Sequence, residues 1–167
     1  MQERCKIGVV IGNANSPYAV NIMKGIDQAS KECDVQIMYF MNVSSPYTAQ
    51  LYPPDTSIGW NYQKSAIYDY ARYVKADVLI MTYGMMSIFM KSDYGKQYLE
   101  YFRNVPCVLI NEQTDRPNWT SIIVDNYNGM YELVEHLVRD HGYHNFAFLA
   151  GPPGNTDACQ RKRAFLD

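Results

Sequence analysis

Three groups of side chains in this sequence have types and spacings that could do chemistry. The first is a polar set: Asn13, Asn15, Ser16 and Tyr18 near the start, with Asp157 and Arg161 near the end. The amides and hydroxyls give and accept hydrogen bonds, Asp157 adds a carboxylate, and the Arg161 guanidinium is a planar five-donor fork. Such a set suits a sugar or another small polar metabolite held by hydrogen bonds between aromatic walls. Ordinary turn chemistry accounts for Asn13 to Ser16 equally well, and a surface salt bridge is the alternative for Arg161. Arg161 stands out because it falls in the first turns of a helix, where a cation opposes the macrodipole.

The second group is His136, His141 and His144, crowded at one helix end. A metal site needs a fitting third ligand and convergent geometry, whereas a histidine at a helix C-terminus simply suits the dipole. No metal is expected. The third group is nucleophiles. Ser16, Ser87 and Ser121 lack the GxSxG setting, and neither Cys107 nor Cys159 has a histidine beside it in sequence. No catalytic residue is assigned, and the chain reads as a binding protein rather than an enzyme. The turn Asn13-Ala14-Asn15-Ser16-Pro17 is neither GxGxxG nor GxxxxGK[ST]. A phosphate cradle of those kinds, and with it a nucleotide or flavin, is not expected, and no cofactor is implied.

The elements that must position these groups follow from periodicity. Lys6–Gly12 is a short apolar, β-branched run ending in glycine, the pattern of a buried parallel strand. Ser16 suits an N-cap and Pro17 a first helical turn. Ala19, Ile22, Met23, Ile26 and Ala29 then recur at helical spacing up to about Cys33. Further strands are expected over Val35–Met41, Asp77–Thr82, Cys107–Asn111, Ser121–Asp125 and Asn145–Ala150. Further helices are expected over Tyr62–Lys75, Ser92–Asn104, Asn126–His141 and Asp157–Asp167. Gly142 closes the helix before it as a left-handed residue. Residues 42–60 are a long Pro-containing stretch that could cover a site. Alternating strands and helices imply α/β, a doubly wound parallel sheet with helices on both faces. Ligands then sit beyond the carboxyl ends of the strands, at a topological switch point.

Composition sets the frame. The 167 residues suit one domain or one lobe. With a net charge of −2 and no Lys/Arg block, the basic footprint of a nucleic-acid surface is missing, so DNA binding belongs to a module outside this chain. Cys5, Cys33, Cys107 and Cys159 lie far apart without a CxxC pair, which reads as free thiols in a reducing compartment. No apolar run approaches the ~20 residues of a membrane span, and Met1 leads into the first strand without the pattern of a signal peptide. A cytoplasmic location is expected, and the triplets at Asn42 and Asn118 are read as chance matches to a glycosylation signal.

The stretch Ile123-Val124-Asp125-Asn126-Tyr127-Asn128-Gly129, then His136-Leu137, then Gly142-Tyr143-His144-Asn145-Phe146 through Gly151-Pro152, resembles the lactose-repressor/purine-repressor (LacI/GalR) sensor family. Its pattern runs V-D-N-x-x-G, H-L, G-H-x-x-I-x-x-I-x-G-P and R-x-x-G-F. Arg161-Lys162-Arg163-Ala164-Phe165 matches the ending, with alanine in place of the usual glycine. The likeness covers almost the whole chain and is weakest over 44–60, which looks like an insertion. It implies a flavodoxin-like N-terminal lobe of a type I periplasmic-binding-protein fold over residues 1–167, stopping short of the second lobe, with a small effector between lobes. By position, Arg161 would grip the effector, Tyr18 would wall it, and Asp157, Asp125, Thr82 and Tyr83 would line the cleft. Family sensors pair side by side, so a homodimer is plausible. The DNA-binding head that precedes the family's sensors is not at this N-terminus, which suggests an output module elsewhere. The competing readings are a solute-binding protein of a transporter and a stand-alone flavodoxin-like protein.

Overall fold

The computed structural model describes residues 4–43, 61–87, 92–153 and 155–167. The 44–60 stretch lies outside the described residues. The chain divides into two compact units, Met1–Ile123 and Val124–Asp167.

The first unit is an all-parallel sheet of β1 (Cys5–Ile11), β2 (Val35–Met41), β3 (Val78–Met81), β4 (Cys107–Ile110) and β5 (Trp119–Ile122). Their order is β2-β1-β3-β4-β5, the flavodoxin-like order, in which the crevice lies between β1 and β3. The helices are α1 (Pro17–Glu32), α2 (Asn61–Tyr70), a short α3 (Tyr83–Ser87) and α4 (Ser92–Tyr101). Thus the α/β, doubly wound reading of the sequence holds.

Side chains alternate across the pleat, and that alternation divides the core. Val9 and Ile11 of β1 are fully buried on one face with Ala19, against Ile22, Met23 and Ile26 of α1. Val10 points the other way, joining Leu79, Met81, Cys107, Leu109 and Trp119 beneath Tyr68 of α2 and Tyr98 of α4. Burying each such side chain contributes about 1.5–3 kcal/mol. The Tyr98 hydroxyl donates to the Tyr68 carbonyl at 2.8 Å, tying α4 to α2 inside this layer. At the opposite end of β3, Asp77 latches onto β1: its carboxylate accepts from the Lys6 N–H at 2.7 Å, and its own N–H donates to the Lys6 carbonyl at 2.8 Å.

The second unit holds α5 (Asn126–Arg139) and α6 (Thr156–Leu166), which pack on each other around Ala164, Phe165, Val134 and Val138. Phe148 stacks on Phe165 at 4.8 Å and Phe146 meets it edge-on at 6.3 Å. As expected, Gly142 ends α5 with φ +66°.

Three expectations need correction. Asn145–Ala150 is not a strand: the run has strand chemistry, but a strand requires a neighbour to take its N–H and C=O groups, and none among the described residues pairs with it. Leu149 there is 98% exposed. The fifth strand begins at Trp119 rather than Ser121, because Trp119 faces the core opposite Cys107. The second helix stops at Tyr70; Ala71, Arg72 and Tyr73 bond three residues back in a tightened turn.

Two glycines give opposite expectations. A Cβ on Gly12 would lie 2.8 Å from the Met85 carbonyl carbon and oxygen, both backbone atoms, whereas nothing lies within 4 Å of one on Gly25 in α1. Gly12→Ala should destabilise by about 1–3 kcal/mol. Gly25→Ala should stabilise by about 0.5–1 kcal/mol. Urea midpoints of the two variants check the pair, and shifts in the same direction would refute the packing argument. The cysteines give a second test. Cys5, Cys33 and Cys159 are exposed, whereas burial pushes the Cys107 thiol up to about 12, the nearby Arg116 offsetting part of the effect. Because the thiolate is the reactive form, a thiol reagent at pH 8 should titrate three groups in the native protein and the fourth only after unfolding.

Candidate functional site

The carboxyl edge of the first unit is built around one buried hydroxyl. Thr82, 2% exposed, follows β3. Its Oγ1 accepts the Gly12 N–H at 3.1 Å, its N–H donates to the Val10 carbonyl at 3.0 Å, and its carbonyl accepts from Met85 and Met86 at 3.0 and 3.1 Å. One residue thus ties the end of β1 to the start of α3. The lack of a side chain on Gly12 lets the two segments come this close.

Beyond Gly12, Asn13 takes the left-handed region with φ +50°. Its N–H donates to the Asn42 side-chain oxygen at 2.8 Å, and the Ala14 N–H donates to the Asn42 carbonyl at 2.8 Å. Asn42, 6% exposed, is the residue directly after β2, so it gathers the turn from the neighbouring strand. Ser16 caps α1, its Oγ accepting from the Ala19 N–H at 3.2 Å. Turn and cap chemistry therefore employs Ser16 and shapes the Asn13 backbone. Asn15 is exposed, and Tyr18, at 44% exposure, stands on the outer side of the first turn of α1.

Tyr83 opens α3 beside Thr82. Its hydroxyl carries a raised pKa, from burial and then from the Glu112 carboxylate. Glu112 follows β4 and reaches back over Gly84, its Oε2 3.9 Å from where a Cβ there would sit. Asn111, which precedes it, has φ +59° and donates its N–H to the Ile122 carbonyl at 2.7 Å. Further along the same loop, Gln113, Thr114, Asp115, Ser121 and Ile123 line an open depression of about 490 Å3. The Ser121 hydroxyl is buried there without a hydrogen-bond partner.

The remaining expected residues belong to the second unit. Asp125 is the N-cap of α5: its carboxylate accepts from the Asn128 N–H at 3.1 Å and from the Asn128 side-chain amide at 2.7 Å. Arg161 donates through Nη1 to the side-chain oxygen of Asn126, which is 7% exposed. Asp157, four residues before Arg161 and on the same side of α6, is half-buried. Asn155 caps that helix by accepting from the Ala158 N–H at 2.8 Å.

In the first unit the structure thus brings Asn13, Thr82 and Tyr83 to one edge, with Asn15, Ser16 and Tyr18 on the turn above. In the second it brings Arg161 onto the residue beside Asp125. Sequence reasoning missed Asn42, Asn126 and Glu112 as individuals. The available signal was position, since Asn42 and Glu112 stand at the carboxyl ends of strands.

Thr82→Val would keep the shape of the junction but leave the Gly12 N–H buried without an acceptor. A loss of about 1–3 kcal/mol is expected, with Thr82→Ser restoring most of it. Equal urea midpoints for the valine variant and the native protein would show that the hydroxyl is dispensable.

No protein-family model matches the chain. A curated relative is a protein of Bacillus subtilis (strain 168) described as the probable HTH-type transcriptional repressor ExuR; it is 26% identical over 139 residues, covering 77% of this chain and 40% of that protein. Among solved structures, the lac repressor dimer bound to operator and the anti-inducer ONPF superposes with a TM-score of 0.66 at 19% identity, covering 99% of this chain and 50% of that one. A carbohydrate-transporter solute-binding protein from Agrobacterium radiobacter, in complex with D-arabinose, gives 0.64 at 17%, covering 99% and 52%. The chain therefore spans 40% of the curated relative and about half of the solved structures it matches. Its sheet order, its switch-point edge and these likenesses agree: the chain has the α/β fold that LacI-family repressors share with sugar-binding proteins of transporters.

Proposed function

We propose that this chain is the sensor part of a transcriptional regulator that responds to a small polar effector, a sugar or a similar metabolite. The observation that carries the reading is the edge between β1 and β3. There the buried Asn42 and Thr82 hold the turn at Asn13, beside Tyr83 and the Glu112 carboxylate, and the turn is neither GxGxxG nor GxxxxGK[ST]. Such groups recognise hydroxyl-rich molecules by number and direction of hydrogen bonds. Residues 1–167 act in this reading as the N-terminal lobe and its continuation, one part of a two-lobed sensor. Effector binding favours the closed arrangement of the lobes, and that shift in population biases an output module. DNA is contacted by a module outside this chain, two copies pair through the sensor, and the protein works in the cytoplasm without catalysing a reaction. No helix among the described residues is long and apolar enough to cross a membrane.

The arabinose-bound neighbour favours a second reading, a solute-binding protein of a transporter. The two differ in output. A regulator changes its occupancy of an operator when the effector is added; a transport protein has no DNA partner.

A thermal-shift screen of sugars and small metabolites tests the proposal on the protein that carries both lobes. A ligand at a hundred times its Kd stabilises the native state by about 2.7 kcal/mol. Arg161→Ala should weaken a hit by roughly 10- to 100-fold, the worth of hydrogen bonds from a charged group. An unchanged dose curve would remove Arg161 from the site. No hit across a broad library would overturn small-molecule sensing.

A further inference from the structure

The end of α5 carries a constellation that the sensing role does not use. The His136 ring meets the Asp140 carboxylate through Nδ1, whose N–H donates to the carboxylate oxygen at 2.5 Å. Its other nitrogen, Nε2, faces the Nε2 of His141 at 3.1 Å. The rings stand nearly perpendicular, at 85° with centroids 4.8 Å apart. His141 is itself held by stacking on Tyr143, at 5.7 Å and 11°. The backbone builds this arrangement. Gly142 turns the chain back with φ +66°, and the Gly142 and Tyr143 N–H groups donate to the Val138 and Leu137 carbonyls at 3.1 Å each. A ring that follows the helix is thereby returned to face one on its last turn. His136 and Asp140 remain open to solvent, with side chains 53% and 64% exposed.

The two Nε2 atoms lie at hydrogen-bond distance, close enough to share a proton or a common cation. With a proton on Nδ1 shared with Asp140, the His136 Nε2 presents a lone pair. His141 either lends it a proton or presents a second lone pair to a common cation. Two nitrogens bound at about 2.0–2.1 Å to one centre, at angles from a right angle to tetrahedral, lie roughly 2.9–3.4 Å apart. The observed separation falls inside that interval. A carboxylate on the far nitrogen of a ligating histidine is the usual outer partner that fixes the tautomer and raises basicity. Imidazole pairs select borderline divalent ions such as Zn2+, Ni2+ and Cu2+ over Mg2+ or Ca2+.

We propose that His136 and His141 form a two-imidazole clasp for a borderline divalent cation, with Asp140 as its positioning carboxylate. Among the described residues no group of three His, Cys, Asp or Glu side chains is arranged to hold a metal. The other coordination positions therefore go to water or to a donor from outside the chain. Bound metal would staple the last turn of α5 to the segment that follows it.

The test is Zn2+ titrated into the chain labelled with 15N-histidine, read by long-range 1H–15N correlation of the imidazole rings. The His136 and His141 Nε2 signals should move together and saturate at one metal per chain, while those of His144 stay in place. His136→Ala or His141→Ala should lower the affinity at least about tenfold. Asp140→Asn should lower it about 10- to 100-fold while both ring signals still respond. Circular dichroism confirms that the variants stay folded. Unmoved ring signals in a large molar excess of zinc would overturn the proposal. So would zinc binding of native strength in both alanine variants, which would assign the metal to the exposed thiols of Cys5, Cys33 and Cys159.

Discussion

The first unit depends on one constraint: at the point where β1 and β3 lie side by side, two segments leave the sheet and their backbone groups must still be satisfied. Thr82 meets it with a single side chain and its own peptide groups, taking the Gly12 N–H and seeding α3 with its carbonyl. A buried N–H without an acceptor costs more than most contacts contribute. The turn at Asn13, the position of Asn42 and the start of α3 all follow from how that one junction is closed.

From there the architecture is economical in its use of polarity. The two core layers interlock by pleat alternation and are apolar but for groups such as the Tyr68 and Tyr98 hydroxyls; among the described residues of the first unit, the buried polar residues Asn42 and Thr82 stand at the carboxyl edge. Among the described residues of the second unit, Asn126 is a buried polar side chain, and it receives Arg161. Elsewhere cations are placed against rings: Arg116 lies 4.5 Å from the Trp119 ring centroid and Arg72 lies 4.4 Å from that of Tyr101. These contacts set a guanidinium over a ring at the edge strand and at the ends of α2 and α4.

Much of this was legible in the sequence, and the reasons are local. Strands β1 to β4 are short apolar runs that can be buried on both faces. The Ser16 cap, Pro17 start and Gly142 stop depend only on neighbouring residues. What was not legible required partners distant in sequence. Asn145–Ala150 has the composition of a strand, yet composition does not supply the neighbour that makes one. The start of β5 at Trp119 depends on what lies across from it in β4. Asn42 reads as an ordinary loop residue until β1 is placed beside β2. Arg161 stood out by its place in the first turns of a helix, but its partner Asn126 lies 35 residues away and is visible only in the fold.

The two left-handed residues at strand ends, Asn13 and Asn111, bear on how this surface can evolve. A β-branched or bulky side chain is strained in that region of backbone space, while asparagine, aspartate and glycine enter it at low cost. Drift at these two positions is therefore confined to a narrow alphabet, whatever molecule the protein recognises. Neighbours such as Asn15, whose backbone has no such restriction, are free to vary. In the sensing role proposed above, the exposed side chains between these two corners can change while the corners themselves are preserved.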